Sequence, residues 1–142
     1  MGDIHKMSRE VKFRGKRIAN GKWVTGSLLF NPSTDEVSIV EFVGGIPRHY
    51  RVYGETVGEY TGLNNERDVE FYEGDIVDLN GGHSPVRIYW RDGGFGYLSP
   101  VNGEYWVGPR IGYATEGLKE ILEVATLIGN IHDNPELLKV KP

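Results

Sequence analysis

The chain of 142 residues contains no cysteine. Disulfide bonds, thiolate metal sites and cysteine nucleophiles are therefore excluded, and a chain of this length can bury a core without such staples. No apolar run approaches the roughly 20 residues that span a bilayer. The first residues, MGDIHKMSREVKF, include no apolar core of signal-peptide length. We therefore expect a soluble, cytoplasmic protein with no membrane partner.

Clusters of metal-ligating or catalytic residues are also lacking. The four histidines lie at least 34 residues apart: His5, His49, His83 and His132. Nothing in their spacing predicts a metal site, and no cofactor is expected. His83 stands near Ser84 and Asp78, but glycine-rich loops collect these residue types for turn chemistry. The GGFG stretch at 93–96 is not followed by a helix, so it predicts a hairpin turn and not a phosphate-binding loop.

Glycine is abundant, at 20 of 142 residues, about twice its usual share of roughly 7%. The glycines are spread among aromatic and β-branched residues, which is typical of short strands joined by tight turns. The sequence therefore predicts a mainly β protein, built from small antiparallel, barrel-like β subdomains. One or two short helices are expected near the C-terminus.

Alternating apolar and polar residues locate the strands. In VKFRGKRIANGKWVTGSLLF the alternation surrounds Asn20-Gly21, a strong signal for a two-residue hairpin turn. It predicts paired strands over 11–18 and 22–30. The same criterion predicts further strands at 37–43, 48–53, 75–79 and 86–90, then a hairpin into FGYLS and a short strand at EYWVG.

The C-terminal part has a different period. Leu118, Ile121 and Leu122 follow helical spacing, and Thr115 is a candidate N-cap for that helix. EVATLIGNI then predicts a final buried strand, and NPELL predicts a helical turn that starts at Pro135.

No internal repeat or low-complexity linker divides the chain. Residues 58–68 are rich in turn formers and are the most irregular stretch. We therefore expect a single domain over 1–142, divisible at this join into subdomains over 1–60 (N-terminal β) and 69–142 (C-terminal β with a short helix).

Basic residues are concentrated at the start. Residues 1–22 hold seven Lys or Arg against two acidic residues, a net charge of +5, so the rest carries −9. Arg14, Lys16 and Arg17 are therefore candidate contacts for a nucleic-acid backbone. A charged edge strand that resists pairing with other chains is the preferred interpretation. The acidic remainder disfavours sequence-independent DNA binding by the whole domain.

Carboxylates gather in FYEGDIV. Glu70, Glu73 and Asp75 are close enough in sequence for paired acid–base chemistry if burial separates their pKa values. A turn that leads into a strand also explains each residue, because Gly74 supplies the turn conformation and Asp75 can bind nearby backbone amides. The structural interpretation is preferred, and no catalytic residue is assigned.

Aromatic residues cluster between 89 and 106: Tyr89, Trp90, Phe95, Tyr97, Tyr105 and Trp106. Alternation along strands sends about half of such side chains into the core. Outward members, with Tyr97, Tyr105 and Trp106 as candidates, would form an oligomer or partner interface. Stacking of nucleic-acid bases is the third interpretation.

Three blocks together indicate a family: KFRGKRIANGKWVTGSL, TVGEYTGLNNERDVEFYEGDIV and LIGNIHDNPELL. Their order and spacing resemble the YopX family of phage- and prophage-encoded proteins, from about residue 12 to residue 138. The stretch NNERDVEF departs from the family pattern, which suggests a reshaped loop. The resemblance implies a mainly β fold and a homo-oligomer, but it brings no reaction and no catalytic residues.

The sequence therefore predicts a non-enzymatic, oligomeric phage accessory protein that binds a host or phage macromolecule. The alternative is a nucleic-acid-binding β-barrel module that uses the basic N-terminal hairpin and exposed aromatic residues. The second alternative is an uncharacterised enzyme with a carboxylate site.

Overall fold

A computed structural model of the chain describes residues 10–79, 85–91, 93–98, 105–107 and 114–138. These residues form two antiparallel sheets, with strand orders β4-β3-β2-β1-β5-β6 and β10-β9-β8-β7-β11. The strands are β1 Phe13–Lys16, β2 Trp23–Asn31, β3 Glu36–Val43, β4 Ile46–Arg51, β5 Gly58–Asn64, β6 Glu70–Tyr72, β7 Asp75–Asp78, β8 Val86–Arg91, β9 Gly94–Leu98, β10 Tyr105–Val107 and β11 Thr126–Asn130. The predicted mainly β fold is confirmed.

The chain divides into two compact units, Met1–Gly62 and Leu63–Pro142. Strand β5 runs across this division, so much of the stretch predicted to be irregular is a strand. Two glycines obscured its alternation, one of them Gly62 with a φ of 81°. Pairing with β1, including a bond from the Tyr60 amide to the Lys12 carbonyl oxygen (2.9 Å), overrides the weak local preference.

Strand β2 has a corner at Gly26. Its residues 23–26 pair with β1, and its residues 27–31 pair with β3. A side chain at the corner would be obstructed, because a Cβ atom on Gly26 would overlap the carbonyl oxygen of Val40. Glycine is the residue that allows a strand to turn from one half of a barrel into the other.

The last residues of β4 return to β1 and partly close a barrel. Arg17 forms an isolated antiparallel bridge with Val52, and the Ile18 amide donates to the Arg51 carbonyl oxygen at 3.0 Å. β1 therefore pairs with β2 on one side, and with β5 and the end of β4 on the other. The predicted barrel-like architecture is found in this unit.

A 3-10 turn, Gly54–Thr56, separates the end of β4 from β5, the two segments that pair with the same side of β1. The Thr56 hydroxyl donates to the Tyr53 carbonyl oxygen at 2.6 Å and accepts the Lys16 amide at 2.9 Å. Thr56 is buried. Its hydroxyl gives the Lys16 amide a hydrogen-bond acceptor at the point where the strand pairing is interrupted.

Side chains inside the barrel are small or apolar. Ile39 and Val52 are buried, and a Cβ atom on Gly15 would lie 3.0 Å from the Cβ of Val52. Because neighbouring residues of a strand point to opposite sides, Arg14 and Lys16, on either side of Gly15, lie on the outer surface.

The first hairpin forms, but its turn is not the predicted two-residue type. The Gly21 amide donates to the Arg17 carbonyl oxygen at 2.8 Å, which closes a loop of residues 18–21. Gly21 has a φ of 70°, whereas Asn20 keeps a negative φ and its Oδ1 accepts the Lys22 amide at 3.0 Å. An Asn side chain that binds its own turn does not need the left-handed conformation.

A two-residue turn does occur between β3 and β4. Gly44 and Gly45 have φ values of 59° and 80°, and the flanking residues Val43 and Ile46 pair directly. Two positive φ values are what this tight hairpin requires, and glycine adopts them without strain.

The second unit packs helix α1, Ala114–Glu123, with the five-stranded sheet. Its buried cluster consists of Phe71, Val77, Val86, Ile88, Phe95, Leu122 and Ala125. α1 begins at Ala114, so Thr115 lies within its first turn and does not precede it. The predicted C-terminal turn is confirmed as a 3-10 segment, Pro135–Leu138.

Strand β11 is more exposed than predicted. Ile128 is 37% exposed, and the pairing with β7 shifts between Leu127 and Gly129. β11 is the terminal strand of its sheet, and bulges are common at such edges. Apolar residues alone therefore did not reveal which side of the strand is covered.

Replacing Gly26 by alanine tests the corner. We expect Gly26→Ala to lower the free energy of unfolding by about 3 kcal/mol, because the new methyl group must displace backbone atoms. Urea denaturation followed by circular dichroism measures this change. Gly54→Ala is the matched control, since its Cβ would lie 3.4 Å from Val37, and it should change stability by less than about 1 kcal/mol. Equal effects of the two substitutions would contradict the proposed corner.

Candidate functional site

Strand β2 exposes three consecutive apolar residues. Leu28, Leu29 and Phe30, here called the 28–30 patch, are all exposed, Phe30 by 54%. Alternation places Leu28 and Phe30 on one side of the strand and Leu29 on the other. A run of exposed apolar residues on both sides of a strand is unfavourable in water and indicates a contact surface.

A second apolar patch flanks the turn between β3 and β4. Phe42, Val43 and Ile46, here called the 42–46 patch, have exposed fractions of 65%, 40% and 62%. The patch lies at the opposite end of β3 from the 28–30 patch, which pairs with residues 37–39. The barrel interior therefore covers only the middle of β3, and uncovered apolar side chains lie at the end of β2 beside its start and at its own end.

The neighbouring edge strand is protected against pairing with another chain. β4 is the terminal strand of its sheet, and it contains Pro47, Arg48 and Arg51. Proline and charged residues oppose the addition of a further strand. The Arg51 Nη1 atom also lies 3.8 Å from Glu36 Oε1, an ion pair between exposed side chains. Contact through the apolar patches would therefore use side chains and not backbone pairing at this edge.

The outer side of β1 carries cations that lie over aromatic rings. The Lys12 Nζ atom lies 4.8 Å from the centroid of the Tyr60 ring. The Arg14 Cζ and Lys16 Nζ atoms lie 4.8 Å and 5.7 Å from the centroid of the Trp23 ring. These five residues are called the cation–aromatic face.

The structure separates Arg17 from the other two predicted contacts. Arg14 and Lys16 share Trp23, but the Arg17 Cζ atom lies 4.4 Å from the ring centroid of Tyr50. Alternation along the strand explains the division, because residue 17 points away from the side that residues 14 and 16 occupy.

Cation–aromatic contacts are unusually frequent in the first unit. Its described residues, 10–62, include four, whereas about one energetically significant contact per 70–80 residues is typical of proteins. Each contact orders a long side chain at little desolvation cost, and the aromatic ring brings no opposing charge. The Lys12 Nζ atom also lies 3.1 Å from Glu10 Oε1, so part of the positive charge of the face is compensated within the chain.

The carboxylates of the FYEGDIV stretch have structural roles. Asp75 is buried, and its Oδ2 atom accepts the Tyr72 amide at 2.7 Å. Glu70 Oε1 accepts the Tyr72 hydroxyl at 3.2 Å. Gly74, with a φ of 91°, forms the turn between them. The turn predicted from the sequence is found, and Asp75 holds its backbone.

The cluster of aromatic residues at 89–106 lies partly in the core. Phe95 is buried and packs edge to face with Trp90, with ring centroids 4.7 Å apart. Tyr97 packs against the buried cluster, and burial raises the pKa of its hydroxyl. The side chains of Tyr105 and Trp106 lie outside the described residues, as does His83, so their predicted roles stay predictions.

A groove of about 480 Å³ in the second unit lies between residues 65–69 and 124–127. The Asn65 side chain organises it, because its Oδ1 accepts the Val69 amide at 3.0 Å and its Nδ2 donates to the Ala125 carbonyl oxygen at 3.2 Å. The Glu66 amide donates to the carbonyl oxygen of Glu123 at 2.9 Å, at the end of α1. These polar groups form hydrogen bonds with the chain itself. We therefore interpret the residues that line the groove as the cap of the C-terminal end of α1.

The described part of the chain lacks two further features. No group of three or more histidine and acidic side chains there is close enough to hold a metal ion. None of its helical segments has the length and apolar character needed to cross a membrane.

Comparison with known proteins identifies the family. The model of the YopX protein family matches residues 12–139, nearly the whole chain. The chain belongs to the YopX family. This YopX protein is also similar to the crystal structure of protein EF1440 from Enterococcus faecalis, with a TM-score of 0.54 and 23% sequence identity. That match covers 93% of this chain and 100% of the other, and at this identity it shows the fold alone. A search of the curated proteins found no match.

The two apolar patches were missed at the level of sequence. Their signal is present, since three consecutive apolar residues in an alternating strand place at least one on the polar side. The second patch has a weaker signal, because Phe42, Val43 and Ile46 flank a glycine turn where either side could have been covered.

Removing the Asp75 carboxylate tests whether it is structural. We expect Asp75→Ala in this YopX protein to lower the free energy of unfolding by about 1–3 kcal/mol, because the buried Tyr72 amide loses its acceptor. Thermal and urea denaturation measure the change. Glu120→Ala removes the same charge from an exposed position on α1 and should have little effect. Unchanged stability of the Asp75→Ala protein would contradict the structural role.

Proposed function

We propose that this YopX-family protein is a phage or prophage accessory protein without enzymatic activity, which forms a homo-oligomer in the host cytoplasm and binds a host or phage macromolecule. The observation that carries the proposal is the exposure of the 28–30 and 42–46 patches. Exposed apolar side chains at the ends of two paired strands are typical of surfaces that another molecule covers.

The energy available from covering these patches is substantial. Complete burial of one Leu, Ile or Phe side chain contributes about 1.5–3 kcal/mol, and these six residues are already partly covered. In a symmetric dimer the same residue is buried on both subunits, so each contribution counts twice. Partial burial of six side chains on two subunits contributes a free energy of the same order as the roughly 4–15 kcal/mol that association costs.

The non-enzymatic part of the proposal is supported by the bonding of the candidate carboxylates. Asp75 and Glu70 both accept hydrogen bonds from Tyr72. A carboxylate that holds a turn in place is poorly placed to exchange protons with a substrate. The groove at residues 65–69 likewise directs its polar groups to the chain itself.

Substitution of the 42–46 patch tests the proposal. Size-exclusion chromatography with light scattering should show the unmodified protein as an oligomer. Phe42→Ser combined with Ile46→Ser removes two exposed apolar side chains, which should weaken self-association by about 100-fold or more. Because both side chains are exposed, the circular dichroism spectrum should not change.

The matched control removes two apolar side chains elsewhere in the same unit. Val11 and Ile18 are 39% and 42% exposed and belong to neither patch. Val11→Ser combined with Ile18→Ser should leave the oligomer intact. A monomeric unmodified protein, or an oligomer that survives the Phe42 and Ile46 substitutions, would refute the proposed assembly.

A further inference from the structure

We infer that Asn20, in the turn of the first hairpin, is a site of spontaneous modification in the folded protein, where its side-chain amide is converted to a carboxylate. The inference rests on the exposure of the turn, on the residue that follows Asn20 and on the hydrogen bonds of the two residues. It involves neither apolar patch and no ligand, so it is independent of the proposed oligomer.

The chemistry requires only the chain and water. Asparagine is thermolabile, because its side-chain carbonyl carbon is open to attack by the main-chain nitrogen of the next residue. The Gly21 nitrogen loses its proton and bonds to Asn20 Cγ, and the Nδ2 group leaves as ammonia. Water then opens the resulting succinimide ring at either carbonyl carbon, which gives aspartate or isoaspartate. One water molecule is consumed and one ammonia is released, with no oxidation or reduction.

The turn leaves room for this reaction. Residues 18–22 are exposed, so water reaches both reacting groups. A Cβ atom added to Gly21 would have no atom within 4 Å, which shows that the space beside the attacking nitrogen is open. Glycine also changes its main-chain conformation with little strain. The nitrogen can therefore turn toward Asn20 Cγ without displacing a packed side chain.

Two hydrogen bonds slow the reaction in the folded state. The Gly21 amide donates to the Arg17 carbonyl oxygen at 2.8 Å, and Asn20 Oδ1 accepts the Lys22 amide at 3.0 Å. Both bonds must break before the nitrogen approaches Cγ. The usual strength of such bonds predicts a rate about 5-fold to 150-fold below that of the unfolded chain. The turn therefore restrains the reaction but does not prevent it.

The same side-chain hydrogen bond occurs at other asparagines of the chain, which provides an internal comparison. In each case Oδ1 accepts the amide two residues further along, the bond by which asparagine stabilises turns. The distance is 2.9 or 3.0 Å at all of these sites: Asn20 with Lys22, Asn31 with Ser33, Asn65 with Arg67 and Asn130 with His132. These four side chains are therefore held alike.

The residue that follows each asparagine differs. Proline follows Asn31, and proline has no N–H proton to lose. Glutamate follows Asn65 and isoleucine follows Asn130, so a side chain crowds each attacking nitrogen. Both of these asparagines are also less exposed than Asn20. Of the four, only Asn20 is followed by glycine.

Main-chain hydrogen bonding does not account for a difference in rate. The attacking amide already donates to a carbonyl oxygen at 2.8 Å in Gly21 and at 2.9 Å in both Glu66 and Ile131. Because these bonds are alike, exposure and the missing side chain at residue 21 decide the order of reaction. We therefore expect Asn20 to be converted before the other three asparagines.

Conversion alters the hairpin in two ways. A new carboxylate gives residues 10–22 a second acidic residue beside five basic ones. Isoaspartate also adds one atom to the main chain before the Gly21 nitrogen, inside the loop that the Gly21 amide closes. The pairing of Lys16 with Trp23 next to this loop should therefore weaken. An ordinary aspartate keeps an oxygen that accepts the Lys22 amide.

Peptide mapping by mass spectrometry tests the inference on the full chain, incubated at neutral pH and sampled over time. The mass increase of one deamidation should appear at Asn20, at a rate about 5-fold to 150-fold below that of the same chain unfolded in urea. A folded-state rate equal to the unfolded one, or below this range, would overturn the inference. Conversion of Asn31, Asn65 or Asn130 before Asn20 would overturn the role assigned to the glycine.

A variant separates the added charge from the altered main chain. Asn20→Asp carries the carboxylate on an ordinary main chain, so its melting temperature should equal that of fresh protein. Isoaspartate-containing protein, separated from the incubated sample by ion exchange, should melt about 3 °C lower or more, because the turn loses a hydrogen bond. An equal melting temperature for the isoaspartate and Asn20→Asp proteins would overturn the assigned effect on the hairpin.

Discussion

The first unit depends on the close contact between Gly26 and the carbonyl group of Val40. The absence of a side chain at residue 26 lets β2 leave its partner β1 and join β3 within one residue step. All later features of the unit follow from that bend. β4 reaches β1 because β3 has been turned toward it, and the bridge between Arg17 and Val52 then closes the barrel. Thr56 completes the hydrogen bonding where the last strand is interrupted.

A barrel made in this way is shorter than the strands that form it. β2 and β3 contain nine and eight residues, whereas the closed part buries only the middle of β3 around Ile39. The 28–30 and 42–46 patches are the uncovered ends. The charged, proline-containing β4 opposes strand addition beside them, so side-chain contact is the remaining means of covering the patches. The fold thus separates two surfaces of different chemistry, the apolar ends of the barrel strands and the outer side of β1, where lysine and arginine side chains lie over aromatic rings.

Local sequence predicted the parts of the fold that local forces determine. The alternation at 37–43 gave a strand that the structure has at Glu36–Val43, and Asp75 binds a nearby amide as expected. β5 was missed because its glycines weaken the local preference and its stability comes from pairing with a distant strand. The Asn20-Gly21 turn was assigned the wrong type because its length depends on the register of β1 and β2. Arg14, Lys16 and Arg17 were predicted as one set, and only the strand register separates Arg17 from the other two. The exposed patches depend on which faces the barrel covers, and that is a property of the closed fold.

Hydrogen–deuterium exchange at two protein concentrations tests the central claim most directly, since it reports whether the apolar ends of β2 and β3 become covered when the protein associates. The account predicts that amides of residues 28–30 and 42–46 exchange more slowly at high than at low concentration, while residues 23–26, which are paired inside the barrel wall, exchange at the same rate in both. Exchange at the two patches that does not depend on concentration would contradict the account.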